Sequence, residues 1–275
     1  MSALPKFVNP VRLYVEDSGG QGRPVVLIHG WPLSSAAWQA QLGPLREAGY
    51  RVIAYDRRGF GRSDKPAAGY DYDHLADDLA SVLDELDLHD VTLVGFSMGG
   101  GEVARYIRRY GQARLRSVVF ASAVPPYLLK TADNPEGPLS RQAARGLVSD
   151  LTADREAFFE DFTKGFFTAR GEVKATDAQR SDTVALCRQA DQRAALGCAE
   201  AFGSTDFRED LAQVGLPTLV LHGDADAIVP LEGSGARTHA AIAGSELVVI
   251  PDAPHGCNLS HAGAFNRALL DFLRR

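Results

Sequence analysis

The chain has 275 residues, 45% hydrophobic and 23% charged, an ordinary composition for a soluble globular protein with room for one large core and an insertion. Its formal charge of −6 and pI near 5.7 argue against nucleic-acid binding, which needs a basic face to displace counterions. No run reaches the ~18 apolar residues of a membrane helix. The opening Met1-Ser2-Ala3-Leu4-Pro5-Lys6 lacks the apolar core of a secretory signal, so a cytoplasmic protein is expected.

Short apolar, β-branched runs alternate with longer helical patterns, which predicts a mostly parallel sheet covered by helices. In chain order the strands are expected at 11–16, 24–29, 51–56, 91–96, 117–123, 217–222 and 246–250, several of them continuous enough in Val, Leu and Ile to be buried on both faces. Helices are expected at 35–48, 72–86, 98–110, 233–243 and 261–274. More than ninety residues separate Ala123 from Pro217 without a convincing strand. Pro125-Pro126 and Asn134-Pro135-Glu136-Gly137-Pro138 mark turns there, and 141–148, 155–168, 181–187 and 190–201 read as short amphipathic helices. A helical insertion over the sheet accounts for this interval better than a long loop.

The strand at 91–96 runs into Gly95-Phe96-Ser97-Met98-Gly99-Gly100-Gly101 and then into a helix. This is Gly-x-Ser-x-Gly in the strand–turn–helix setting of a nucleophile elbow. The strained turn lifts the Ser97 hydroxyl above the sheet edge, and the helix N-terminus behind it favours developing negative charge. A side chain at 95 or 99 is expected to strike the neighbouring helix or strand. A phosphate-binding loop does not fit, because Ser97 stands at the second glycine of Gly-x-Gly-x-x-Gly and no Gly-Lys-Ser/Thr follows.

A serine hydroxyl needs an adjacent base, and the base an orienting acid. For this elbow the chain order is serine, acid, histidine. His222-Gly223-Asp224-Ala225-Asp226 follows one strand and Asp252-Ala253-Pro254-His255-Gly256 follows the last, so both segments reach the carboxyl edge of the sheet. Asp224 and Asp226 compete for the acid role. Asp224, nearer the strand, suits a hydrogen bond to turn backbone, and Asp226 is favoured in part on the resemblance given below. One oxyanion donor is expected at the Met98 N–H. The other is expected in His29-Gly30-Trp31-Pro32, at Trp31, since Pro32 has no N–H. Trp31 and Phe96 are expected to contact substrate, in a pocket near a Phe-rich insertion (Phe158, Phe159, Phe162, Phe166, Phe167).

His29 and His222 each end a strand before glycine, where a buried imidazole commonly bonds loop backbone. No His or Cys cluster has metal-ligand spacing, so neither a metal nor a cofactor is expected. Cys187, Cys198 and Cys257 form no Cys-x-x-Cys pair and read as buried thiols of a reducing compartment. Cys257 lies two places beyond His255, near enough to reach a pocket wall, but is a poorer nucleophile candidate than Ser97. The segment from Asp56 to Asp64, Asp-Arg-Arg-Gly-Phe-Gly-Arg-Ser-Asp, reads as a tight turn whose charges tie loops together.

On these residues the chain resembles, nearly end to end, the arylesterase and cofactor-free haloperoxidase (perhydrolase) branch of the α/β hydrolases, and is similar to its γ-lactamase members. The resemblance rests on His29-Gly30-Trp31-Pro32, the Asp56 to Asp64 segment, Gly95 to Gly101, His222 to Pro230, Ala253-Pro254-His255-Gly256, and Asp133 to Pro138 in the insertion. It implies an α/β-hydrolase fold with an eight-stranded, mostly parallel sheet, one domain over 1–275 and a helical cap over about 125–212. It implies a catalytic triad of Ser97, Asp226 and His255, with Trp31 and Met98 as the oxyanion hole and no cofactor. The implied activity is hydrolysis of short-chain or aryl carboxylic esters through an acyl-enzyme, with hydrogen peroxide as a second acceptor. The partners are therefore small esters, carboxylates or peroxide, with no nucleic acid and no membrane.

Pro32 stands where haloperoxidase-type members carry proline, which tilts the reading toward peroxide. Cys257-Asn258-Leu259 departs from the larger apolar residues of many relatives and bears on substrate fit. A γ-lactamase uses the same constellation, and some non-catalytic ligand-binding receptors of this fold keep an intact triad, so both alternatives stay open. Haloalkane dehalogenases and epoxide hydrolases need aspartate at position 97 and are disfavoured. Members of the branch are often homo-oligomers, and the sequence offers no interface to read.

Overall fold

Strands rich in Val, Leu and Ile along their whole length need cover on both faces, and the computed structural model shows how they get it. It describes residues 2–8 and 11–275, with side chains from residue 11 onward; Met1, part of the leader reading, lies outside them. The chain runs β1 (Ser2–Val8), β2 (Val11–Asp17), β3 (Pro24–Ile28), α1 (Gln39–Glu47), β4 (Arg51–Tyr55), α2 (Tyr72–Glu85), β5 (Val91–Phe96), α3 (Met98–Tyr110) and β6 (Leu115–Ala121). An insertion follows, with α4 (Arg141–Ala153), α5 (Arg155–Phe166), the hairpin β7 (Thr168–Ala169) and β8 (Glu172–Val173), α6 (Asp177–Arg188) and α7 (Gln192–Ser204). The chain then completes α8 (Arg208–Leu211), β9 (Thr218–Gly223), α9 (Gly235–Ala241), β10 (Glu246–Ile250), α10 (Cys257–Ser260) and α11 (Ala262–Leu273).

Eight strands form one sheet in the order β1-β2-β4-β3-β5-β6-β9-β10. β1 and β2 pair antiparallel, as do β2 and β4, and every pairing from β4 to β10 is parallel. Val25, Val26, Leu27 and Ile28 of β3 have no exposed surface, as a central strand between two helical layers requires. One layer joins α1 to α11, and another runs through α2, α3, α8 and α9. Among the described residues no helix is long and apolar enough to cross a membrane.

The insertion helices start where local chemistry says they should. Ser140, Asp154 and Asp191 each accept first-turn backbone N–H bonds, and Thr176 with Gln179 closes a capping box at α6. Several features depart from expectation. α6 starts at Asp177, four residues before the helix expected over 181–187. β1 lies upstream of the first expected strand. The strand expected over 117–123 ends at Ala121, because Ser122 turns to a φ of 43° while its N–H bonds the Leu221 carbonyl at 2.8 Å. The interval without an expected strand holds the short β7–β8 hairpin, whose turn residues Arg170 and Gly171 both have positive φ, 49° and 85°.

Candidate active site

Five loops converge at the carboxyl ends of β3, β5, β6, β9 and β10, where ligands of open α/β sheets bind. Ser97 links β5 to α3 with φ 54° and ψ −118°, a conformation costly for any residue with a side chain. Close packing enforces it. A Cβ on Gly95 would sit 2.5 Å from the Gly99 carbonyl oxygen, and one on Gly99 would sit 2.6 Å from that of Ile28 in β3. Val124 N–H bonds the Ser97 carbonyl at 3.2 Å, tying the loop after β6 to the turn.

Three side chains far apart in the chain meet here. The Ser97 hydroxyl lies 2.9 Å from Nε2 of His255, and Nδ1 of His255 donates to Oδ2 of Asp226 at 2.7 Å. The other carboxylate oxygen of Asp226 accepts the backbone N–H groups of Ile228 and Val229, at 3.0 and 2.8 Å. Burial alone would raise the Asp226 carboxyl. The facing charge of His255 and hydrogen bonds from His222 and His255 outweigh that and hold it far below the usual carboxylate range.

His222 contacts the same Oδ2 at 3.3 Å while its Nε2–H donates to the Val229 carbonyl at 2.8 Å, so it bonds loop backbone as expected and also touches the acid. Asp224 stands apart from the relay. Its Oδ1 accepts the Asp252 N–H at 2.7 Å, a bond to the backbone of the neighbouring loop.

Behind Ser97 lies a buried ionic brace. Nε of Arg57 donates to Glu102 on α3 at 2.6 Å, and the Tyr55 hydroxyl donates to the same carboxylate at 2.8 Å. The guanidinium also donates to the His29 carbonyl at 2.6 Å, and the Arg57 N–H donates to Nε2 of His29 at 3.0 Å. The Nδ1–H of His29 can then bond the Gly30 carbonyl, at 2.8 Å. Burial, reinforced by the Arg57 charge, pushes this imidazole's pKa well below its ordinary value and keeps it neutral. The Asp56 to Asp64 segment thus ties loops together, with Arg58 on Asp78 at 2.6 Å adding a second link, to α2.

Among the described residues, the backbone N–H groups of Trp31 and Met98 bond no backbone carbonyl of a turn or loop. Both Trp31 and Met98 border Ser97 in space, Met98 as the next residue and Trp31 through Gly30, whose Cα faces the Ser97 Cβ and the Phe96 ring. A cavity of about 280 Å³ opens beside them. Ser97 and His255 lie at its polar edge, and its walls are apolar: Trp31, Val124 and Leu128, then Pro138, Leu139, Ala143 and Leu147, with Phe162, Phe202 and Ile228. The Trp31 indole N–H bonds the Ala195 carbonyl at 2.9 Å, and its ring meets Phe158, Phe162 and Phe202 edge-on.

Phe96, expected at substrate, does not line this cavity. Its ring is buried beneath the imidazole of His255, with centroids 5.2 Å apart, and packs on Trp38 and Phe166. Of the five insertion phenylalanines named from sequence, Phe162 alone lines the cavity, while Phe159, Phe166 and Phe167 are core. Phe202, Ala143 and Leu147 were not foreseen, because nothing in their local sequence says which side of α4 or α7 faces Ser97; nor was Leu139, in the loop before α4. Cys257 is also core, its thiol beside the Ser122 hydroxyl, and burial pushes its pKa up to about 12. That leaves it unreactive.

A sheet of this order with serine, acid and histidine at its carboxyl edge defines a hydrolase-type fold, and the model of the alpha/beta hydrolase fold family matches residues 23–262. The chain belongs to that family. It is 44% identical over 268 residues to a non-heme chloroperoxidase of Kitasatospora aureofaciens, covering 96% of this chain and 97% of that protein. It is 38% identical over 270 residues to a bifunctional esterase/perhydrolase of Acinetobacter calcoaceticus, covering 96% of each. The crystal structure of a bromoperoxidase from Bacillus anthracis superposes with a TM-score of 0.97 at 50% identity, over 100% of both chains.

Proposed function

We propose that the protein is a serine hydrolase of short-chain or aryl carboxylic esters that also passes its acyl group to hydrogen peroxide. The observation that carries this reading is the relay of 2.9 and 2.7 Å from Ser97 through His255 to Asp226. In the proposed mechanism the Ser97 oxygen attacks the ester carbonyl while Nε2 of His255 takes its proton. Asp226 keeps the other ring proton on Nδ1 and stabilises the imidazolium that forms. The N–H groups of Met98 and Trp31 bind the tetrahedral oxyanion, helped by the N-terminus of α3. His255 then returns the proton to the departing alcohol, leaving an acyl-serine. Water, deprotonated by His255, releases the acid, and hydrogen peroxide in the same position releases a peracid. That peracid oxidises halide in solution and is itself reduced to the carboxylate.

The apolar walls favour neutral acyl groups, since a charged one would be desolvated without a partner. The names of the chloroperoxidase, perhydrolase and bromoperoxidase relatives support the peroxide branch. We place residues of about 125–212 as a cap on a single domain, and three free, buried cysteines accord with a reducing cytoplasm. The test is turnover of p-nitrophenyl acetate, lost in Ser97→Ala, followed by bromination of monochlorodimedone with bromide, hydrogen peroxide and ethyl acetate as the acyl donor. An inactive wild type refutes the hydrolase reading. Ester turnover without bromination refutes the peroxide branch.

A further inference from the structure

The β7–β8 hairpin of the insertion is short, yet its charged residues reach both loops that carry the acid and the base. Arg170 bonds Oδ2 of Asp224 at 3.0 Å and lies 3.7 Å from Asp252. Lys174, just after β8, bonds the other oxygen of Asp252 at 2.7 Å and also holds Glu172 at 2.7 Å. Asp224 lies two residues before Asp226, and Asp252 three before His255. The two aspartates are themselves joined, the Asp252 N–H to Asp224 at 2.7 Å, and the loops share further backbone bonds from Asp224 to Ile250 and from Ala225 to Ala253, both 3.1 Å.

The hairpin is firmly placed. Its turn fixes Arg170, the Lys174 N–H bonds the Phe167 carbonyl at 2.8 Å, and the Gly256 N–H bonds the Phe166 carbonyl at 2.8 Å. Phe166 in turn packs edge-on against the His255 ring, at 5.3 Å.

We propose that Arg170 and Lys174 are positioning residues, an ionic clamp by which the insertion holds the Asp226 and His255 loops at catalytic spacing. They touch neither substrate nor the reacting atoms. The clamp presupposes the serine-hydrolase reading. Hydrogen bonding from Lys174 holds the Asp252 carboxyl below its usual range, as a working ion pair should. Unlike the buried brace of Arg57 and Glu102, the clamp is open to solvent at its Arg170 end, where the side chain is 61% exposed, and partly so at Lys174, 19% exposed. Salt should therefore weaken it.

The experiment compares wild type, the Arg170→Asn/Lys174→Gln double variant and Arg170→Lys in hydrolysis of p-nitrophenyl acetate, from about 0.01 to 1 M NaCl. Asparagine is chosen because it tolerates the positive φ of the turn. At low salt the double variant should lose about fivefold in kcat with KM within about twofold, while Arg170→Lys keeps most of the wild-type rate. Added salt should lower the wild-type kcat toward that of the double variant, whose own rate changes little. Equal kcat at low salt, a loss confined to KM, or parallel salt curves overturns the clamp, as does a lower melting temperature with kcat unchanged. A wild type without Ser97-dependent turnover overturns both the clamp and the reading beneath it.

Discussion

Replacing Asp226 by asparagine probes the relay where the structure constrains the outcome most. Oδ1 is held by two backbone N–H groups, at 3.0 and 2.8 Å, so the asparagine oxygen takes that place and its NH2 faces His255. An NH2 there donates to Nδ1 and drives the ring proton onto Nε2, the atom that must accept from Ser97. Turning the amide over forfeits two hydrogen bonds of about 1 kcal/mol each, which leaves roughly 3% of molecules in the competent orientation. The turnover number for p-nitrophenyl acetate should therefore fall by at least about thirtyfold, toward the ~10⁴-fold loss seen when the acid of such a triad becomes an amide. The variant should melt near the wild-type temperature, since the loop keeps its backbone contacts. Asp226→Asn with more than about a tenth of the wild-type kcat refutes the argument, because the flipped fraction is too small to supply it.

Gly99→Ala places a methyl group 2.6 Å from the Ile28 carbonyl oxygen, so β3 or the elbow must shift. A loss of about 1–3 kcal/mol in urea unfolding, with most activity gone, is expected, and a stability equal to wild type contradicts the packing argument. His29 gives a pH signature. Its folded pKa lies well below 6.5, so on acidification the unfolded chain takes up this proton first. Stability should fall as pH drops below about 6.5, continuing until the folded pKa is reached, by up to ~1.4 kcal/mol per pH unit. Urea titrations between pH 7 and 5 should show a shallower slope in His29→Gln, and an unchanged slope removes His29 from the account.

The parts of the fold that follow from local chemistry were legible in the sequence. The elbow, the buried central strands and the helix starts at Ser140 and Asp154 each depend on a few neighbouring residues; the start of α6 at Thr176 was placed too late, at 181. The order of Ser97, Asp226 and His255 was expected from the elbow motif and not from neighbouring residues, since the three lie far apart in the chain. The cavity wall was not legible, because Ala143, Leu147 and Phe202 face Ser97 only through the packing of α4 against α7 and α5, which local sequence does not encode. Phe96 misled for a related reason: adjacency to the nucleophile in sequence says nothing of which way a ring at the end of β5 points, and it points under His255. Glu102 reads as a polar helix position. Its burial follows only once Arg57, from another strand's loop, arrives beside it.

The proposed oxyanion donors hang from different strands, Trp31 beyond β3 and Met98 beyond β5. Arg57 grips the His29 carbonyl with one part of its fork and Glu102, on the helix that begins at Met98, with another. The two halves of the anion pocket are therefore girded by a shared crossbar, so a displacement of either wall is transmitted to its opposite. Spacing between the donors is governed at a point remote from solvent, where salt and pH in the ordinary range have little purchase.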